Sequence, residues 1–247
     1  MLLYLTVDTM DTVDTMEQNG KELLTDKRPG AAFGAGVFGA ICIALLCITL
    51  AIVLTVNFRP LYYHDMTVLD IPAQAGMSTA DVRQNYDALI DYNQPFFTGP
   101  LEFPTLPMSD HGRIHFAQVK QIFVACYIIA AACAVLLFFL IRFLRRRTRG
   151  RYLIWGGVLA VAIPAAVLAL LAAVGWDQAF VILHGILFNN NYWIFDPQTD
   201  PVILMLPDTF FLHCLIMIIV LIVVFAAVFI TTGVRKGRSF GTGLSKG

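Results

Sequence analysis

Four apolar stretches, each long enough to cross a bilayer as a helix, leave this chain little choice of architecture. A hydrocarbon core about 30 Å thick needs roughly 20 residues of apolar helix. The stretches run over about 31–56, 119–143, 152–174 and 210–232. In lipid the backbone must satisfy its own polar groups, and uninterrupted runs of this length do so as helices. Composition agrees, since 58% hydrophobic residues against 14% charged leave too little polar surface for a solvated globule. The formal charge of zero argues against nucleic acid as a partner, because phosphate binding draws on an excess of Lys and Arg. All five cysteines (Cys42, Cys47, Cys126, Cys133 and Cys214) fall inside the apolar runs, where a thiol packs as a small hydrophobe and neither a disulfide framework nor a CxxC metal pair arises.

Direction comes from charge. Arg142, Arg145, Arg146, Arg147, Arg149 and Arg151 crowd the short link between the second and third stretches, which the positive-inside rule assigns to the cytoplasm. Arg235, Lys236 and Arg238 after the fourth stretch, and Lys21, Lys27 and Arg28 before the first, then lie on the same side. Both termini are expected in the cytoplasm: residues 1–30 as an acidic disordered tail, and 233–247 as a basic tail. The first stretch is too long for a cleaved signal and is expected to be retained. Cys42 and Cys47 follow Ile41 and Leu46, where lipid attachment would want a small residue.

Two segments, 57–118 and 175–208, are therefore expected outside. The first is long for a loop and must carry structure of its own. Ser78 and Asp81 form a capping box opening a helix from Thr79 to about Asp91, with Val82, Tyr86, Leu89 and Ile90 on one side. Phe96, Phe97, Leu101, Phe103 and Leu106 follow among Pro95, Pro100, Pro104 and Pro107, which suits an extended strip at headgroup level. Ser109 or Asp110 offers an N-cap for a helix that starts near His111 and projects above the membrane before the second span. The second segment opens with a helical pattern, Ala179 to Phe188, in which Phe180, His184, Leu187 and Phe188 share a face; it is too short to cross and reads as interfacial or re-entrant. Asn189, Asn190 and Asn191 can stop it in a left-handed cap, and Asp208 can start the fourth span.

The five histidines, His64, His111, His115, His184 and His213, all lie outside or at the outer end of a span. A neutral imidazole, with a pKa of about 6.5, is a suitable base for an amine or hydroxyl. His64 and His213 read as structural. His111 and His115 stand one helical turn apart, the spacing of a two-histidine metal pair, but a third ligand is not evident and no cofactor or metal is expected. His115 and His184 can each reach the headgroup layer. Among serines only Ser78 and Ser109 are outside, and both have a capping alternative, so a covalent acyl-enzyme is a narrow option.

The run Leu183 to Pro201, LHGILFNNNYWIFDPQTDP, followed by Leu206-Pro207 and Phe210-Phe211, resembles the lipoprotein intramolecular transacylase family, Lit, of bacterial membrane proteins. The matching positions are His184, Phe188, Asn190, Trp193, Asp196, Pro197, Asp200, Pro207, Phe210 and Phe211. Asn85-Tyr86 with Leu89 and Tyr92, and His115 with Val119-Lys120, resemble the family less sharply. Where the family carries an acidic residue near that histidine this chain has Gln118, which can supply a hydrogen bond but no charge. The resemblance implies transfer of the sn-2 acyl chain of a diacylglyceryl-modified lipoprotein to the α-amine of its own N-terminal cysteine, in the bacterial cell membrane. It implies His115 and His184 as the acid/base pair, in an order left open. Asn190, Trp193, Asp196, Asp200, Tyr86 and Lys120 are the implied supporting or substrate-binding residues.

The expected fold is thus an all-α, four-transmembrane-helix bundle with an extracytoplasmic cap of short helices and loops, embedded in membrane lipid. Two other functions remain open on the residues: an outer-leaflet lipid hydrolase using Ser109, and a non-catalytic four-span binding or sensing protein. A transporter is disfavoured, because no ionisable residue lies deep in a span. Reporter fusions near Thr148 and near Gln198 test the orientation; the first is expected to report the cytoplasm and the second the outside.

Overall fold

The computed structural model describes residues 29–144 and 150–244. The expectations for the acidic tail before Pro29, for Arg145, Arg146, Arg147 and Arg149 in the basic link, and for the last three residues lie outside the described residues. Every described element is helical. In chain order these are α1 (Pro29–Asn57), α2 (Arg59–Val68), α3 (Ile71–Ala75), α4 (Thr79–Tyr92), α5 (Asp110–Leu144), α6 (Arg151–Ala172), α7 (Trp176–Leu187), a 3-10 turn (Pro201–Met205) and α8 (Asp208–Leu244).

Four of them, α1, α5, α6 and α8, are long and apolar enough to cross a membrane. Helix α1 is the hub, packed against the other three, while α6 also packs against α8. Its buried face, Ile43, Cys47 and Ala51, meets Cys133 and Leu137 of α5 and Ile222 and Ala226 of α8 in one apolar core. Lipid tails are as apolar as the helices, so association in a bilayer depends on close backbone approach rather than on expulsion of water. Gly156 and Gly157 supply that approach: a Cβ on Gly156 would fall 2.6 Å from Ile43 Cβ, and one on Gly157 would fall 2.9 Å from the Ala226 carbonyl. Helix α6 continues through Pro164.

The 35 residues of α5 extend about 50 Å, well beyond the thickness of the hydrocarbon, so its first turns stand above it. Around those turns the outer segments build a second core. Tyr62 stacks on Tyr86 with ring centroids 3.7 Å apart, Phe210 meets Tyr62 edge-on, and the Tyr62 hydroxyl donates to the Met205 carbonyl at 2.7 Å. Tyr86 therefore belongs to the packing of this core. Asp65 is completely buried, and both its oxygens lie 2.9 Å from His213 Nδ1, which makes His213 a structural partner.

Helix α4 begins where the capping box places it, with Ser78 Oγ accepting from the Asp81 amide. The proline-punctuated strip after it is stitched back by Asn85, which donates to Thr105 Oγ1 at 2.6 Å and accepts from the Thr105 amide. Lys120 Nζ donates to the Phe97 carbonyl at 2.9 Å, so Lys120 fastens the strip to α5. Phe96 is left 93% exposed, a surface suited to lipid.

Helix α2 is an element the sequence reading leaves out, although Pro60 in its first turn is a readable start signal. Two details of α7 differ from expectation. Leu187 is exposed rather than sharing the packed face of Phe180, His184 and Phe188, because the chain leaves the helix at that point. It leaves through an extended Phe188, not through a left-handed asparagine.

Candidate active site

The head of α5 is fixed by an unusually complete cap. Ser109 Oγ accepts from the Gly112 amide at 3.0 Å, and the Ser109 amide donates to Asp200 Oδ1 at 2.8 Å. Asp200 is buried, takes the Thr199 hydroxyl on Oδ2 at 2.8 Å, and lies where an anion is favoured by the N-terminal end of a helix. Gly112 makes room for it, since a Cβ there would run into Asp200 Oδ1. Ser109 is thus occupied as a helix cap, with no bond to a histidine. Asp196 shapes the preceding turn by accepting from the Gln198 amide at 2.9 Å, and its side chain is exposed. Asp196 and Asp200 shape and hold the loop, and their hydrogen bonds do not go to the histidines.

One turn further along α5, His115 is 6% exposed and points into a box of rings. Phe188 meets it edge-on at 4.8 Å between centroids and Phe195 at 5.4 Å. His184 of α7 lies 6.1 Å away, ring to ring. Phe180 and Trp193 close over His184 at 4.0 and 4.7 Å. The structure therefore brings His115, His184 and Trp193 together, from three separate segments. Asn190 supports them at one remove: it donates to Gln118 Oε1 at 3.2 Å and accepts from the Tyr192 amide at 3.0 Å, tying the loop to the turn of α5 after His115. Gln118 thus pairs with Asn190 and not with the histidine. His111 is stacked on Tyr192 at 4.2 Å, and among the described residues no group of three metal-ligating side chains is found.

The protonation of His184 can be read from its partner. Its Nδ1 lies 2.8 Å from the Phe180 carbonyl, which only accepts, so Nδ1 carries the hydrogen and Nε2 is a bare lone pair. Burial pushes the His184 pKa below the ordinary histidine value, opposed in part by that carbonyl. Two buried nitrogens here have no partner in the protein, His115 Nδ1 and Trp193 Nε1. Buried polar groups are almost always paired, so a site with two open ones is prepared for a polar ligand.

Apolar flanks complete the picture. Helix α7 leaves Val181, Leu183 and Ile186 exposed, the last at 76%, a surface that belongs in lipid. An exposed apolar surface thus lies on the same helix as His184.

The sequence matches the family described as "Lipoprotein intramolecular transacylase Lit" over residues 37–211. This chain belongs to the Lit family. The matched range contains both histidines and the whole loop from Phe188 to Phe211. The in meso structure of the membrane-integral Lit from Bacillus cereus is similar, with a TM-score of 0.80 at 33% identity, covering 86% of this chain and 100% of that one. A variant of the Bacillus cereus protein with one histidine replaced by arginine gives 0.80 at 32% identity, over 91% of this chain and 99% of that one. No curated protein sequence matches. Lit membership makes this chain a multi-pass membrane enzyme, an acyltransferase with the all-helical fold of its family.

Gly112 and the Gln118–Asn190 contact are the site features the sequence reading missed. An isolated glycine inside a helical pattern is a packing signal, and Gly112 carried it. Gly112→Ala is expected to destabilise the protein by about 1–3 kcal/mol, the usual cost of overpacking, and to lower acyl transfer with it. Thermal unfolding of the purified protein in detergent checks the first and product formation the second.

Proposed function

We propose that this Lit protein moves the sn-2 acyl chain of a diacylglyceryl-modified lipoprotein to the α-amine of the same molecule's N-terminal cysteine, with His115 and His184 managing the proton. The observation that carries this reading is the facing pair of imidazoles in an aromatic box. Amine and ester belong to one substrate, so confining both in the box supplies much of the rate and no enzyme nucleophile is needed. The amine nitrogen attacks the ester carbonyl carbon, and its proton passes to a histidine nitrogen. As the tetrahedral intermediate collapses, the bond from carbonyl carbon to glyceryl oxygen breaks and that oxygen takes the proton back. An amide has formed, an ester is lost, and both histidines end as they began.

His184 is the better first acceptor because its Nε2 lone pair is bare and its ring is held by Phe180. His115 lies on the other side of the box; it takes the proton from His184 and passes it to the departing oxygen, so that both rings end neutral. The Trp193 indole N–H and the two ring edges on His115 then bound the space in which the ester lies. Site and cap are outside the cell in this reading, with both termini in the cytoplasm.

Mass spectrometry of lipoprotein N-termini tests it. His184→Ala and His115→Ala are each expected to cut the lyso-form product by about 100-fold or more, as loss of a general acid or base does. His64→Ala, at an exposed position on α2, is expected to be mild. The double mutant should lose little more than the worse single one, since groups acting as a unit are not additive. Near-normal activity in both single variants, with normal insertion, would defeat the mechanism.

The pH profile gives a second test. A folded-state histidine pKa held below its ordinary value keeps the imidazole neutral, and so competent as a base, further into acid. The logarithm of kcat/KM is expected to fall with unit slope below about pH 8, as the substrate amine protonates, and to steepen only below about pH 6.5. Steepening above that value would contradict the assignment.

A further inference from the structure

The opposite end of the bundle carries a cleft that acyl transfer does not use. It opens between the start of α1 and the start of α6 and has a volume of about 670 Å³, within the ~300–1,000 Å³ typical of small-molecule sites. Its floor on α1 is made by Ala32, Gly36 and Ala40, and its apolar walls include Phe33, Val37 and Trp155. From Ala32 to Ile41 the α1 side rises about 14 Å, enough for a good part of an acyl chain.

Two polar residues line this apolar cleft, Arg151 and Tyr152, and the Lys236 ammonium lies 5.7 Å from the Tyr152 ring centroid. Arg151 is the first residue of α6 and is exposed, with no hydrogen bond or ion pair among the described residues. Tyr152 is only 3% exposed, yet its hydroxyl is buried without a hydrogen-bond partner. Beside them lie the N–H groups of the first turn of α6, of which the Leu153 amide donates to the Gly150 carbonyl at 3.0 Å. No carboxylate occurs in α1 or α6, or in α5 and α8 beyond their first residues, so nothing in these helices pairs with a ligand's cationic amine.

We propose that this cleft binds an anionic phospholipid, with the phosphate on Arg151 at the first turn of α6 and one acyl chain in the groove over Gly36. Donors alone would hold any phosphate. With Arg151 at its mouth and no carboxylate on the two helices that form it, the cleft selects headgroups with net negative charge over zwitterionic ones, as basic pockets between membrane helices do. The amphipathic ring of Trp155 stands at the depth where a glycerol backbone would lie.

Trp155 also serves as the reporter. The full chain is reconstituted in phosphatidylcholine vesicles containing increasing brominated phosphatidylglycerol, and in phosphatidylglycerol vesicles containing increasing brominated phosphatidylcholine. Quenching assigned to Trp155, by subtraction of a Trp155→Phe variant, is expected to reach half its maximum at about fivefold lower mole fraction for the anionic lipid, the preference one basic side chain gives at a membrane surface. Arg151→Gln is expected to abolish that preference. Gly36→Leu, at a position where a Cβ meets nothing within 4 Å, is expected to fold normally and to weaken quenching by both lipids by filling the groove. Equal quenching by the two lipids in the unaltered chain, a preference that survives Arg151→Gln, or unchanged quenching in Gly36→Leu would each overturn the proposal.

Discussion

One buried carboxylate holds the histidine end of this protein together. Asp200 accepts the Ser109 amide at the head of α5 and the Thr199 hydroxyl from its own loop, against the bare face of Gly112. The loop it anchors carries Asn190, Trp193 and Phe195, which surround the histidines, while α5 carries His115 itself. A charge-assisted bond out of water is stronger than a neutral one, and an unpaired buried carboxylate is costly. The loop is thereby held in one arrangement over the helix, and the box exists because of it.

The box is built almost wholly of rings. Phe180, Phe188, Phe195 and Trp193 enclose two imidazoles that burial keeps uncharged, while His115 Nδ1 and Trp193 Nε1 wait without partners. Rings exclude water, so dipoles that remain inside act at full strength on charge developing in the transition state. Leaving two nitrogens open costs stability in the resting protein. In the proposed reaction that cost is recovered when the ester and amine enter.

Much of this was legible from the residues. The spans follow from apolar runs that lipid forces into helices, and α4 follows from the Ser78 and Asp81 box. His115 and His184 are separated by 69 positions, and only their shared depth and the family resemblance join them in the sequence. Supporting roles were harder to read, because a motif records which residues recur and not what they touch. Tyr86 turns out to stack in the outer core, Lys120 to tether the proline strip, and Asp196 to shape a turn. Helix α2 was missed for a different reason: Pro60 marks its start, but its buried Tyr62, Asp65 and Met66 gain their partners from α4, α8 and the 3-10 turn, far along the chain.

The apolar side of α7 is exposed, with Ile186 bare two positions after His184, and under the proposed reaction this side sets how substrate arrives. A lipid-anchored substrate never has to leave its leaflet. In the proposed reaction it wanders in two dimensions until its glyceryl group reaches the histidines past α7. Turnover is then governed by the mole fraction of substrate among the surrounding lipids, and diluting the whole membrane in buffer leaves the encounter rate where it was.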